Sequence, residues 1–179
     1  RGIVTDLSMR TLGRCVRSLS ANTVPGVLDA LVDIYDDLLV HMDSPCLGVV
    51  VAVPGPTDAS GQNLMFSPNM GWGEVPFGPD LSARIHQHVS VVNVPVAMTL
   101  GECWQGAGVG VQNMIHLNLS TGIGAGIVVD GQLLAGAHGF SAEVGHTTLQ
   151  PDGPACDCGN YGCLEAVASL PAIVEQARA

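Results

Sequence analysis

Lysine is missing from all 179 residues, and the six basic side chains are arginines: Arg1, Arg10, Arg14, Arg17, Arg84 and Arg178. Against sixteen acidic residues they leave a formal charge of −10. A nucleic-acid surface needs a clustered basic patch to neutralise phosphates, and nothing basic lies between Arg84 and Arg178, so direct DNA contact by this segment is not expected. Without lysine there is no P-loop and no Schiff-base chemistry within these residues. No apolar run approaches the roughly 20 residues that span a bilayer; the longest comparable stretch is Leu47 to Pro54. A basic n-region followed by an apolar h-region is also absent, so a soluble, cytoplasmic protein is expected. The chain opens on Arg1 with a strand-like segment under way, which reads as a piece of a longer protein.

What is present is a 47% hydrophobic chain, long enough to bury a core as one domain or two small ones. Gly2 to Asp6 and Arg10 to Ser18 alternate as two strands of a hairpin around Ser8-Met9. From Val27 to Val40 apolar residues recur at helical spacing while Asp29, Asp33, Asp36 and Asp37 take the opposite side, and Pro25 fits the first turn. Leu47 to Val53 is a continuous apolar run ended by Pro54-Gly55-Pro56, as expected of a buried parallel strand. Residues 58 to 80 read as a long loop. A helix from Leu81 to His88, a strand from Val89 to Val92 and a helix from Ala97 to Gln105 follow. After them come a strand from Met114 to Leu119, a glycine loop from Ser120 to Gly126, and Ile127 to Leu134 broken by an Asp130-Gly131 turn. This alternation argues α/β with a mixed sheet.

The six cysteines divide unevenly. Cys15, Cys46 and Cys103 are scattered and read as small buried hydrophobes, whereas Cys156, Cys158 and Cys163 crowd into eight residues of a glycine-rich loop. In a cytosolic chain such crowding reads as metal rather than disulfide. With His146 ten residues upstream, the set fits a tetrahedral Cys₃His zinc site, closed to water and therefore structural. Gly122-Ile123-Gly124-Ala125-Gly126 permits close backbone approach to an anion, or serves equally as a glycine-rich hairpin turn; a following strand rules out a dinucleotide fingerprint. Glu143 and Glu165 flank the cysteine loop, so its ordering would bring two carboxylates together, suited to sugar hydroxyls or simply surface-exposed.

Taken together, Leu119-Ser-Thr-Gly-Ile-Gly-Ala-Gly-Ile127, Gly136, Ala142-Glu-Val-Gly-His146 and Cys156-Asp-Cys-Gly-Asn-Tyr-Gly-Cys-Leu-Glu165 resemble the ROK family of bacterial sugar kinases and sugar-responsive transcriptional repressors. Val53-Pro-Gly-Pro56 and Ser67-Pro-Asn-Met-Gly-Trp72 resemble its earlier loops, so the likeness spans nearly the whole chain. The resemblance implies an actin-like, ribonuclease-H-like α/β fold with two lobes and a sugar cleft between them, here 1–106 and 107–179. It implies zinc on His146, Cys156, Cys158 and Cys163. It implies sugar contacts from Asn93, Glu143, His146 and Glu165, with Gly55 and Asn69 lining the loops, and one ring nitrogen of His146 on zinc while the other faces the sugar. Thr121, Gly122 and Gly124 would meet a nucleotide if one is still bound, with ATP and magnesium needed only by a kinase.

Kinases of the family place an Asn-Asp pair at the end of the strand that reaches the sugar, the Asp acting as general base. Here the pair falls on Asn93-Val94, the motif's later Asn is Val96, and Pro95 stands between them. Ala142 replaces the usual Gly before the glutamate. A positioned general base is worth about 10²–10⁴-fold in rate, so little phosphotransfer is expected and no catalytic residue is assigned. The resemblance, with Val94 at the base position, therefore implies a sugar-sensing domain of a ROK-type repressor, its helix-turn-helix expected upstream of Arg1 and its assembly homo-oligomeric. The alternatives are a sugar kinase, glucokinase-like or specific for N-acetylhexosamines, and a degenerate member that keeps the fold for assembly alone.

Overall fold

The computed structural model describes residues 1–19, 21–136 and 139–178. Strands β1 (Gly2–Thr5) and β2 (Thr11–Cys15) form the expected antiparallel hairpin, with Met9 in a left-handed turn conformation. Helix α1 (Val24–Leu39) starts three residues before the periodic run at Val27, with Pro25 in its first turn as expected: Thr23 caps it by accepting from the Gly26 N–H, and the missing N–H of Pro25 costs nothing there. Leu28, Ile34 and Leu38 face inward.

Strand β3 (Val49–Val53) pairs in parallel with β4 (Val89–Asn93), Val49 opposite Val89 and Val53 opposite Asn93. The apolar run is not buried throughout: Leu47 precedes the strand and Val50 is 69% exposed, because α1 and the following loop cover only one face. Helix α2 (Phe77–Ile85) begins four residues earlier than the sequence implied and ends at His86, whose left-handed backbone stops it. Phe77 and Leu81 drop into the core with Leu28, Val53, Leu64, Val75, Ile85, Val89 and Val91, so burial rather than local periodicity sets the helix start. The long loop between β3 and α2 is tied by Leu64 and Val75 exchanging backbone hydrogen bonds, and by Ser67 and Trp72 doing the same around a 3₁₀ turn at Pro68–Met70.

Helix α3 (Val94–Gln105) follows β4 without a break, three residues earlier than predicted, with Pro95 in its first turn. Strands β5 (Met114–Leu119), β6 (Ile123–Val129) and β7 (Gln132–Leu133) form an antiparallel sheet. The glycine segment is therefore mostly strand: only Ser120, Thr121 and Gly122 turn, and Gly124 and Gly126 lie within β6. The reason is packing. A Cβ on Gly124 would stand 2.3 Å from the Pro95 ring and one on Gly126 2.0 Å from the Thr99 hydroxyl, so the glycines let α3 lie directly on the sheet. Among the described residues the α/β chain forms several sheets, each purely parallel or purely antiparallel. Beyond a 3₁₀ turn at Val144–His146, the chain runs irregularly to helices α4 (Leu164–Ala168) and α5 (Leu170–Gln176). No described helix is long and apolar enough to cross a membrane.

Candidate functional site

Irregular backbone between His146 and Cys163 folds because its own groups close on one another. Leu149 and Gln150 N–H donate to the Gly162 carbonyl, Gly162 N–H donates to Pro154, Cys156 N–H to Asn160 and Leu164 N–H to Thr147. Gly162 adopts a φ of +59° with its α-carbon pressed on Gln150, where a Cβ would fall 1.5 Å from the carbonyl oxygen; no other residue fits. The result brings one ring nitrogen of His146 and the sulfurs of Cys156, Cys158 and Cys163 within 4.8 Å of one another.

His146 Nδ1 lies 3.7 Å from Cys156 Sγ, and the Cys158 and Cys163 sulfurs are 3.8 Å apart. A tetrahedron with metal–sulfur bonds of about 2.3 Å has edges of about 3.8 Å, so these two separations match such edges and the four donors could share one metal ion. Cys156 and Cys163 are buried and Cys158 is exposed. Burial pushes the Cys163 thiol up to about 12 and raises Cys156 as well. At Cys158 burial acts upward too, but the Asn160 backbone N–H and the neighbouring thiols outweigh it and the thiol is lowered. Three sulfurs gathered in partly dehydrated space are unfavourable as thiolates by themselves and favourable around a cation. The other three cysteines are half-buried, not the buried hydrophobes expected, and Cys15 donates its thiol hydrogen to Asp37.

With Nδ1 turned to the thiols, His146 presents Nε2 to Glu143 Oε2 at 4.0 Å. Glu143, about a third exposed, has its carboxyl held above the ordinary range by burial, with His146 pulling it down and the charge of Glu165 pushing it up. The two glutamates are therefore close enough to feel one another, as the sequence implied. Glu165 is not free, however: its Oε2 accepts from the Ile123 N–H at 2.7 Å and sits where a Cβ of Gly122 would be, 2.5 Å away. One carboxylate oxygen thus ties α4 to the turn opening β6, and the Leu170 N–H reinforces the tie by donating to Ser120.

Of the remaining predicted residues, Asn93 stands at the end of β4, where it leads into the helix that packs on β6. Asn93 caps α3 with no side-chain hydrogen bond to its own helix, and Val94 opens that helix half-buried, with Pro95 against Gly124. Gly145 lies on the other side, against the carbonyl of Ile123. Gly55 and exposed Asn69 belong to a loop that touches the Glu143 segment elsewhere: Phe66 stacks on Phe140, and Gly139 packs on the Thr57 carbonyl. Thr121 is exposed in the turn beside Gly122. Two concavities, about 440 Å³ between Asp29, Val32, Asp33 and Arg84 and about 180 Å³ bordered by Leu31, Val53 and Trp72, include none of these residues.

Sequence reasoning missed the backbone N–H of Ile123 as the partner of Glu165, and the packing role of the glycines. A signal for the latter existed: Gly122, Gly124 and Gly126 are two apart, the spacing of one strand face.

The ROK family model matches residues 1–179. The chain is 39% identical to a glucokinase of Thermotoga maritima over 90% of its own length and 52% of the relative's. It is 34% identical to the xylose repressor of Bacillus subtilis, over 97% of this chain and 46% of the repressor. It spans about half the length of these curated relatives. Among solved structures, a ROK family glucokinase from Streptomyces griseus in complex with glucose and AMPPNP superimposes with a TM-score of 0.90 at 31% identity, covering 98% of this chain and 55% of that one. A ROK family transcriptional regulator, a homologue of the E. coli MLC protein, gives 0.72 at 32% identity, covering 85% and 38%. The fold is the actin-like α/β fold that the motifs implied, and relatives of both kinds, repressors and kinases, stand close to it. The chain belongs to the ROK family.

Proposed function

We propose that this chain is the sugar-sensing part of a ROK-type transcriptional regulator, binding a hexose-type ligand without phosphorylating it. The observation that carries the reading is Val94. Strand β4 ends at Asn93 and α3 begins at Val94, where the family's kinases carry the aspartate that takes the hydroxyl proton. Valine accepts no proton, and neither neighbouring residue, Pro95 or Val96, replaces it. The groups assigned to hydroxyl recognition stay: Asn93, whose side chain makes no capping bond to α3, Glu143, the second oxygen of Glu165 and the Nε2 side of His146. Loss of one acceptor weakens the ligand by about 1.5–3 kcal/mol relative to an Asp-bearing member and leaves the others in place.

In this reading the four-donor cluster holds a structural zinc that orders the loop from His146 to Cys163 and, through it, Glu143 and Glu165. Residues 1–106 and 107–179 contribute to two lobes flanking the sugar. The protein is cytoplasmic, self-associating, and contacts DNA through a helix-turn-helix outside these residues. The relatives' own identities support a sugar as ligand.

A second reading, an ATP-dependent sugar kinase with Thr121, Gly122 and Gly124 at the nucleotide, is favoured by the likeness to glucokinases. Calorimetry of the full-length protein against hexoses and N-acetylhexosamines, paired with an ATP-consumption assay, separates the two. Saturable sugar binding without sugar-dependent ATP use is expected, and Glu143→Ala or Glu165→Ala should weaken it. Turnover at ordinary rates of about 1–10³ s⁻¹ would restore the kinase.

A further inference from the structure

Two loops that the proposed function uses for separate ligand contacts meet through an aromatic pair. Phe66 lies three residues before Asn69, and Phe140 three residues before Glu143. Their rings are 5.9 Å apart between centroids and 22° from parallel, and each residue is 42% exposed. The chain has only three Phe, two Trp and two Tyr; Phe77 fills the core, whereas this pair stays partly exposed.

The pair is held from beneath rather than by its own contact alone. Behind Phe66, Ser67 is fully buried, donates its hydroxyl hydrogen to the Pro54 carbonyl at 2.5 Å, and exchanges backbone hydrogen bonds with Trp72. Next to Phe140, Gly139 packs against the Thr57 carbonyl, and the turn after Thr57 is fixed by Asp58, whose carboxylate accepts from the Gln62 and Asn63 backbone N–H groups, the Ser60 hydroxyl and the Asn63 amide. Those four bonds, working against burial, hold the Asp58 carboxyl well below the ordinary range, at about 2. A contact whose only task was to join two loops would gain most by burying its rings. A firmly held, partly open aromatic pair, three residues from Asn69 on one loop and from Glu143 on the other, has the properties of a stacking platform, because the axial C–H face of a sugar or a planar aryl group packs on it with little ordering cost.

We propose that Phe66 and Phe140 form a second subsite, which takes the aglycone ring of a glycoside whose first ring is held by the Glu143–Glu165 site. The ligand class is thus a disaccharide or aryl glycoside rather than a free monosaccharide. This rests on the sugar-binding reading above.

The test is calorimetry on the full-length protein with a panel of hexoses and the phenyl α- and β-glycosides of each. One anomer of the best glycoside should bind about three- to tenfold tighter than its parent hexose, the increment of one aromatic stack. Phe66→Leu and Phe140→Leu, which keep the loops packed, should abolish that increment while leaving hexose affinity within about twofold. Thermal melting of the variants checks that folding is intact. If the glycosides bind no tighter than the hexoses, or if the variants weaken both ligands equally, the pair is a loop clasp and the subsite does not exist. Glycoside binding that needs both rings while no free hexose binds would keep the platform and overturn the monosaccharide reading. Failure of every hexose and every glycoside to bind would overturn both.

Discussion

The half of the chain around β3 and β4 and the half around β6 and the cysteine loop are built on opposite principles. In the first, Leu28, Val53, Leu64, Phe77, Leu81, Val89 and Val91 bury one another, and irregular loops hang from that core. In the second, the buried positions beside Ile123, Ala125 and Val128 are Cys156, Cys163 and Ser169, and close approach is made by glycines and backbone hydrogen bonds. Apolar area stabilises the first directly; the second has less of it, and in the proposed reading its order depends on four donor atoms sharing one metal ion. The candidate site sits on the second kind of structure, so its geometry should follow metal occupancy more closely than it follows the core.

The largest expected effect comes from removing that ion. Structural zinc in small peptides supplies about 10–16 kcal/mol of apparent binding free energy, most of it spent on ordering the chain. Chelation, or Cys163→Ser, should therefore strip hydrogen-exchange protection from residues 147–163 and abolish sugar binding, while amides of β3 and β4 stay protected. Elemental analysis of protein purified without chelator should give about one zinc per chain. Well-folded, metal-free protein with protected loop amides would break the comparison at its root.

A smaller effect, and the reciprocal one, is expected from the core. Phe77→Ala empties a site only 1% exposed and should cost about 3–5 kcal/mol, read by denaturant unfolding of the full-length protein. Metal stoichiometry should be unchanged under native conditions. Metal loss in step with the core lesion would show the two regions to be one cooperative unit.

The smallest effect sharpens the comparison within the site itself. Ala142 holds a φ of +60° immediately before Glu143, a conformation that costs a residue with a Cβ about 1–2 kcal/mol. Part of that is returned by the lower chain entropy of alanine in the unfolded state, so Ala142→Gly should stabilise by up to about 1 kcal/mol. A rise in the unfolding midpoint, with sugar affinity unchanged or improved, is the expected result. Destabilisation would mean that the backbone before Glu143 is not held left-handed.

Much of this was legible in the residues themselves. The hairpin around Ser8-Met9, the amphipathic α1, the paired valine-rich strands and the gathering of His146 with three cysteines all follow from local periodicity or from ligand types that have few other uses. The family motifs carried the fold as well. Less was visible wherever a local signal had a distant cause. Helix α2 starts at Phe77 because that ring fits the core, which no break in apolar spacing announces; the start of α3 at Val94 had a local signal in Pro95, which suits a first helical turn and which apolar spacing does not carry.

The sequence by itself determined which chemistries are available: thiols and a histidine for a metal, carboxylates and an amide for hydroxyls, and no base at Val94. Only the tertiary structure decided how they are shared. It gave one oxygen of Glu165 to the Ile123 N–H, turned His146 Nδ1 to the thiols and Nε2 toward Glu143, and made strand rather than loop of Gly124 and Gly126. The physical reason is the same in each case. A glycine or a carboxylate has several acceptable local states, and what selects one is a neighbour tens of residues away, such as Pro95, Thr99 or Ile123, whose closeness exists only once the chain has folded.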